Sequence, residues 1–286
     1  MTFKEPVYIC LIILVSLNLS FQWPLSDGRI TSTFGEARYD HFHDGIDIIS
    51  GNESIYPVAD GEMLFFWDRT LFPTENYGGG GNYRVLKHAG GISSVYMHLE
   101  DGSGYKSAYA AEEPVGKMGN TGRSLGRHLH FSLIRLDKNI SINPLSVLEQ
   151  IKDDKAPVVT DVSVKIGDKY YPVKDKCEIR LTQHYPLRLK VIDLIRGQER
   201  LGIYRLKVSL NDKSVLDAEF SQIVFSGKGL TIGNMPYNNL YDESGYYTAR
   251  GCKYISGLNK IKVTASDFSG NTVEKNINFN VKLETE

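Results

Sequence analysis

From residue 21 onward the chain reads as short runs in which apolar and polar positions alternate, separated by glycine-rich or proline-containing segments. Such alternation buries one face of an extended strand and wets the other. Residues 55–67 hold two apolar stretches around Asp60-Gly61, a turn dipeptide, which predicts a hairpin. Residues 83–88 and 92–97 flank Ala89-Gly90-Gly91 and predict a second hairpin, and residues 128–134 alternate as a further strand. A helical pattern is found only briefly, at residues 144–150. The charged stretch Lys152-Asp153-Asp154-Lys155, closed by Ala156-Pro157, marks a domain boundary.

Beyond Val158 the period-two pattern returns at residues 162–166, 187–191, 204–208 and 261–265. About seven strands at this spacing are what an immunoglobulin-like β-sandwich requires. Residues 267–271, Asp-Phe-Ser-Gly-Asn, form the turn between its last two strands. The expected fold class is therefore all-β: an antiparallel β-sheet domain over residues 21–152 and an immunoglobulin-like β-sandwich over residues 156–286.

The first twenty residues follow a different pattern. Lys4 precedes an uncharged apolar run from Pro6 to Leu17, the order of a secretory signal. The run is short of the roughly 20 apolar residues of a spanning helix. Residues 1–20 are expected to be a signal peptide or a retained N-terminal anchor, and the poor cleavage sequence Asn18-Leu19-Ser20 leaves both fates open. Either fate places the protein outside the cytoplasm, in the periplasm or cell envelope. Cys10 lies inside the apolar run and lacks the small residues of a lipoprotein signal. Cys177 and Cys252 remain, either as a disulfide or as two buried thiols. Neither belongs to a CxxC pair, so cysteine ligation of zinc is not indicated.

Composition narrows the function classes. Hydrophobic residues at 41% and charged residues at 23% describe an ordinary folded chain. A net charge of −1 gives no electrostatic basis for binding nucleic acid, or for binding a membrane unless the N-terminal segment is kept as an anchor.

Six of the seven histidines, all but His184, precede the domain boundary. His43 and Asp47 are four residues apart in a segment too rich in Gly and Ile to be helical. On a straight strand they would sit about 13 Å apart, so joint metal ligation needs a bend, which Gly45 permits. Taken alone, this spacing equally describes a solvated loop. His128 and His130 project to one face of a strand, about 7 Å from each other. That separation lets one bind a metal while the other stands beside an open coordination position. His98 ends a strand and reaches a sheet edge.

Residues 35–145 resemble the lysostaphin-like, LytM-type family of zinc endopeptidases that hydrolyse peptidoglycan. The matching segments are His43-Asp44-Gly45-Ile46-Asp47, Pro57-Val58-Ala59-Asp60-Gly61, Gly81-Asn82-Tyr83, Tyr96-Met97-His98-Leu99, Gly119-Asn120-Thr121-Gly122-Arg123-Ser124 and His128-Leu129-His130-Phe131. The resemblance implies Zn2+ held by His43, Asp47 and His130, with His98 and His128 as catalytic histidines. All five positions are occupied. His41 competes for the first ligand position, but only His43 has the family's spacing to Asp47. His88 and His184 are expected to be bystanders. Three protein ligands leave a position open, as in catalytic zinc sites, and one imidazole can accept a proton while the other donates. Which does which is left open by the sequence.

The chain departs from the family between Trp67 and Tyr83, where a longer loop ends in Gly78-Gly79-Gly80-Gly81, and again between Leu99 and Pro114. The glycine run is not a phosphate-binding loop, because no Lys-Ser/Thr follows and no helix opens. The C-terminal domain shows no catalytic constellation and is expected to brace the enzyme or to bind cell wall or a protein partner. The function implied is a zinc metalloendopeptidase acting on peptidoglycan stems or cross-bridges. The alternatives are a non-catalytic regulator that activates another wall hydrolase, a carboxypeptidase trimming terminal D-alanine, and a zinc peptidase acting on proteins.

Overall fold

The computed structural model describes residues 21–73, 75, 78–102, 104–195, 201–227 and 229–284. The signal or anchor expected over residues 1–20, with Cys10, lies outside the described residues. The fold is all-β and built largely from antiparallel sheets.

The first half is organised around the strand Leu129–Arg135. It pairs antiparallel with Ser93–Leu99 on one edge and with Ile46–Ile49 and Ile140–Ile142 on the other. Leu129, Phe131 and Leu133 point into a core with Ile46, Ile48, Leu86, Tyr96 and Leu99, all fully buried. The intervening His130 and Ser132 therefore face the opposite side, as period two demands. Asn82–Lys87 and Gly61–Trp67 continue the sheet outward.

The second expected hairpin forms as anticipated, Asn82–Lys87 against Ser93–Leu99, with Gly90 and Gly91 at positive φ in the turn. The first does not. Ser54–Ile55 pairs with Gly116–Lys117, whereas Gly61–Trp67 pairs with Ala108–Tyr109 and Asn82–Lys87. Pro57 breaks the extended run before the Asp60-Gly61 turn, so the two apolar stretches diverge to different partners. The helix expected at residues 144–150 is reduced to a single 3-10 turn, Pro144–Ser146, capped by Asn143, whose side chain accepts from the Leu145 amide.

The second half packs two sheets around one core. Lys169–Pro172, Val158–Ile166, Leu187–Ile192 and Tyr247–Ala249 form one sheet. Glu178–Leu181, Thr272–Leu283, Gly257–Ser266, Arg205–Leu210 and Lys213–Glu219 form the other, with the first two of these strands parallel. Val162, Val164, Leu187 and Leu189 meet Leu206, Val208, Ile261, Val263 and Phe279 between them, which is the construction of a β-sandwich. Cys177 and Cys252 are both free thiols.

The two halves are interlocked. Gln222–Ser226, from the second half, pairs with Ile140–Ile142 and carries Gly229–Ile232 and Met235–Pro236 as further strands of the first sheet. In return, Phe34 and Phe42 are buried in the sandwich core. Tyr241 donates its hydroxyl proton to the carbonyl of Gly35 (2.9 Å), and the Gly202 amide donates to Thr33 Oγ1 and Glu36 Oε1, each at 2.9 Å. The loop of residues 33–42 is thus held by the sandwich while leading directly into His43.

Candidate metal centre

Asp47 and His130 sit opposite each other in register on the paired strands Ile46–Ile49 and Leu129–Arg135. His43 precedes the first of these strands and is 4% exposed. His43 Nε2, Asp47 Oδ1 and His130 Nδ1 lie 3.0 Å from one another along every edge. Gly45 permits this, although not through the bend the sequence suggested. Its φ is not positive. What it permits is close approach: a Cβ there would press on the Phe131 carbonyl oxygen and lie 2.8 Å from His130 Nε2.

The other ring nitrogens fix which lone pairs converge. His43 Nδ1 donates to the carbonyl of Thr33 at 2.8 Å, and His130 Nε2 lies 2.9 Å from Ser132 Oγ and 3.2 Å from Asp44 Oδ1. With protons on those nitrogens, the triangle holds two imidazole lone pairs and one carboxylate oxygen, with no hydrogen between them. Only a cation or an added proton can satisfy it. Zinc bonds of about 2.0–2.1 Å place tetrahedral ligands about 3.3 Å apart, so the triangle fits a zinc ion with an adjustment of a few tenths of an ångström. The donor set of two nitrogens and one oxygen leaves a coordination position free, as in catalytic zinc sites.

The electrostatics agree. Burial works against the ionised Asp47, but hydrogen bonds and charges from His130 and His43 outweigh it and hold the carboxyl far below its ordinary range. Burial likewise pulls His130 down, but Asp44 and Asp47 overcome it and lift the imidazole to about 9. Burial depresses His43. Arg38 Nη2 binds the second oxygen of Asp47 at 3.0 Å and so orients the carboxylate.

His98 and His128 stand beside this triangle, their ring centroids 4.8 Å apart, with His98 6.1 Å from the His130 ring. His98 is the next-to-last residue of the strand Ser93–Leu99, with φ at 62°, an uncommon backbone state for a non-glycine residue. Its amide donates to the Gly80 carbonyl (2.9 Å) and its Nδ1 to Thr121 (2.8 Å), which directs Nε2 away from these anchors. Gly81 and Gly122 make the anchoring possible, because a Cβ on either would enter the other loop's backbone. Burial, with the neighbouring His128 and His130, lowers His98 to about 4, so it is neutral near pH 7. His128 Nδ1 donates to the Gly126 carbonyl at 2.8 Å, and its Nε2 lies 3.7 Å from Asp47 Oδ1.

The five residues of the implied site thus converge. The structure also separates His43 from His41, whose side chain is 58% exposed and bonded to Asp40. His88 is a structural histidine, buried between the Asp60 carbonyl and Ser94 Oγ, and His184 accepts from the Tyr254 amide. Arg38, Asp44, Ser132 and Glu36 take supporting positions that the sequence did not reveal. Asp44 carried a faint signal in its adjacency to His43; the others carried none. The long loop after Trp67 is tied down by Asp68 and Arg84, an ion pair of 3.1 Å with both side chains fully buried.

Fold and site together give an all-β domain in which His43, Asp47 and His130 could hold a metal ion. Residues 41–144 match the model of peptidase family M23. A second family model, which carries no description, matches residues 156–282. The DD-carboxypeptidase/endopeptidase Mpg of Neisseria meningitidis is 32% identical over 130 residues, covering 43% of this chain and 28% of the relative. The peptidoglycan DD-endopeptidase ShyA of Vibrio cholerae is 30% identical over 122 residues, covering 42% of this chain and 28% of the relative. The chain therefore spans less than a third of the length of these relatives. Among solved structures, a zinc-containing peptidase from Vibrio cholerae aligns at 24% identity and a TM-score of 0.36, covering 43% of this chain and 39% of that one. The lysostaphin catalytic domain of Staphylococcus simulans aligns at 24% identity and a TM-score of 0.32, covering 37% and 80%. Among the described residues, no helix is long and apolar enough to cross a membrane.

Proposed function

We propose that this chain is an exported zinc metalloendopeptidase that hydrolyses peptide bonds in peptidoglycan stems or cross-bridges. One observation carries the reading: three lone pairs from His43, Asp47 and His130 converge on one point, with two further imidazoles beside it. When bound there, zinc supplies Lewis acidity, polarising a carbonyl and acidifying water. The chain's own groups do the remainder. Arg38 and Ser132 hold Asp47 and His130 in place. His98, neutral and anchored through Nδ1, offers Nε2 to accept a proton from attacking water. His128, on the Asp47 side, donates to the oxyanion or the leaving amine. Cell-wall peptides are favoured as substrate because two relatives are named as a DD-carboxypeptidase/endopeptidase and a peptidoglycan DD-endopeptidase. The peptidase domain spans residues 21–152, and the C-terminal β-sandwich, residues 156–286, is immunoglobulin-like and braces the metal site. Export rests on the signal-like residues 1–20.

Incubating the purified protein with wall sacculi and zinc tests the reading, with release of soluble peptides expected. Asp47→Ala should lose bound zinc, and His98→Ala should keep zinc while losing turnover by about 100-fold or more. Intact sacculi in the presence of a zinc-loaded protein would overturn the reading in favour of a non-catalytic regulator.

A further inference from the structure

A second group of metal-binding side chains lies away from the histidines. Asp153, in the stretch joining the two halves, Asp193, just after the strand Leu187–Ile192, and Asp267, just after Gly257–Ser266, each bring a carboxylate oxygen within 4.8 Å of the other two. Asp193 is 1% exposed and Asp267 is 2% exposed. Like charges gathered this closely in a buried place repel, and each is costly to desolvate. Among the described residues, no lysine, arginine or histidine forms an ion pair with any of the three.

Hydrogen bonding leaves part of this charge unanswered. Asp267 is well supplied, because its Oδ1 accepts from the amides of Ser269 and Asn271 and its Oδ2 from Asn271 Nδ2. Asp153 Oδ1 accepts from the Lys155 amide, but its Oδ2 is shut off from solvent and receives no hydrogen bond. Asp193 Oδ1 accepts from the amide of its own neighbour Leu194. A buried carboxylate oxygen without a donor is costly, by roughly 1–3 kcal/mol or more, unless a cation is its partner.

We propose that Asp153, Asp193 and Asp267 form a calcium site that fastens the linker of residues 152–155 to the end of the C-terminal sandwich. An all-oxygen, carboxylate-rich donor set selects a hard cation over zinc. Calcium bonds of 2.3–2.6 Å allow three oxygens on one ion to stand up to about 4.5 Å from one another, so the cluster fits calcium with an adjustment of a few tenths of an ångström. The linker is already strapped there, since Ser269 Oγ donates to the Ile151 carbonyl and Asn271 Nδ2 to that of Asp153, each at 3.1 Å. The site is independent of the peptidase reading and sets how the two halves are joined.

Calorimetric titration of calcium into the full chain, freed of calcium by a calcium-selective chelator, tests this, with circular dichroism confirming the folded state. One calcium ion per chain should bind with a Kd of about 10⁻⁴ to 10⁻³ M, and magnesium more weakly. Asp193→Asn and Asp153→Asn should each weaken binding by about tenfold or more. Asp193→Asn should also raise the calcium-free Tm, since it removes a buried charge, while losing the calcium-induced rise in Tm. A merely structural aspartate would lower the calcium-free Tm instead. No saturable binding to the folded protein, unchanged affinity in both variants, or equal affinity for magnesium would overturn the proposal.

Discussion

Gly45→Ala separates backbone packing from ligand chemistry at the metal centre. The added Cβ would lie 2.5 Å from Ser132 Oγ and 2.8 Å from His130 Nε2, and would also press on the Phe131 carbonyl oxygen. The serine can rotate, but the carbonyl belongs to the strand that carries His130 and cannot. Restoring ordinary contact, at about 3.3 Å or more, requires the chain around Gly45 to move from Leu129–Arg135 by roughly half an ångström or more. His43 and Asp47 flank Gly45, whereas His130 lies across the gap, so the displacement opens the 3.0 Å triangle directly. Metal sites tolerate errors of about 0.2 Å in ligand distance. The expected stability cost is about 1–3 kcal/mol, and zinc affinity should fall about 10- to 100-fold. Competition against a chelator of known affinity measures the second quantity, and thermal unfolding the first. A Gly45→Ala protein with wild-type zinc affinity would refute the argument that close approach places the ligands.

Two further predictions probe the surroundings. Glu36 accepts from Ser32 Oγ, the Thr33 amide and hydroxyl, and the Gly202 amide, so it joins the sandwich to the carbonyl that orients His43. Glu36→Gln should cost about 1–3 kcal/mol of stability and weaken zinc about tenfold; a lowered Tm with unchanged zinc affinity would show that the brace does not reach the metal. Burial lowers His88 below its ordinary value of 6.5, against the opposing hydrogen bond to Asp60. The unfolded chain therefore takes up a proton that the folded protein resists, and stability is fully present above about pH 6.5 and declines as the pH falls below it. Comparing Tm at neutral and acidic pH for wild type and His88→Gln should show a shallower acid loss in the variant, and identical slopes would remove His88 as the cause.

Strand positions were legible where a half-buried strand must alternate, as residues 257–266 do; residues 129–133 alternate in residue type although both faces are buried. Partner choice was not legible. The two apolar stretches around Asp60-Gly61 read as a hairpin, yet each found another partner, because local turn chemistry does not register a competing strand distant in sequence. The same limit hid the pairing of Gln222–Ser226 with Ile140–Ile142, which joins segments about eighty residues apart.

His43, Asp47, His98, His128 and His130 stood out in the sequence as candidates because they lie in short segments whose order and spacing resemble a family, which is local information. Period two placed His128 and His130 on one face, and a four-residue spacing singled out His43 over His41. Tertiary structure decided what those side chains meet. It set Asp47 opposite His130, brought Arg38 and Asp44 to their outer atoms, and packed Phe34 and Phe42 into a second core so that the His43 loop rests on the C-terminal sandwich. It alone gathered Asp153, Asp193 and Asp267, whose separations along the chain carry no common pattern. Local spacing and periodicity are written into consecutive residues, whereas the meeting of distant carboxylates and loops follows from how whole sheets close over one another.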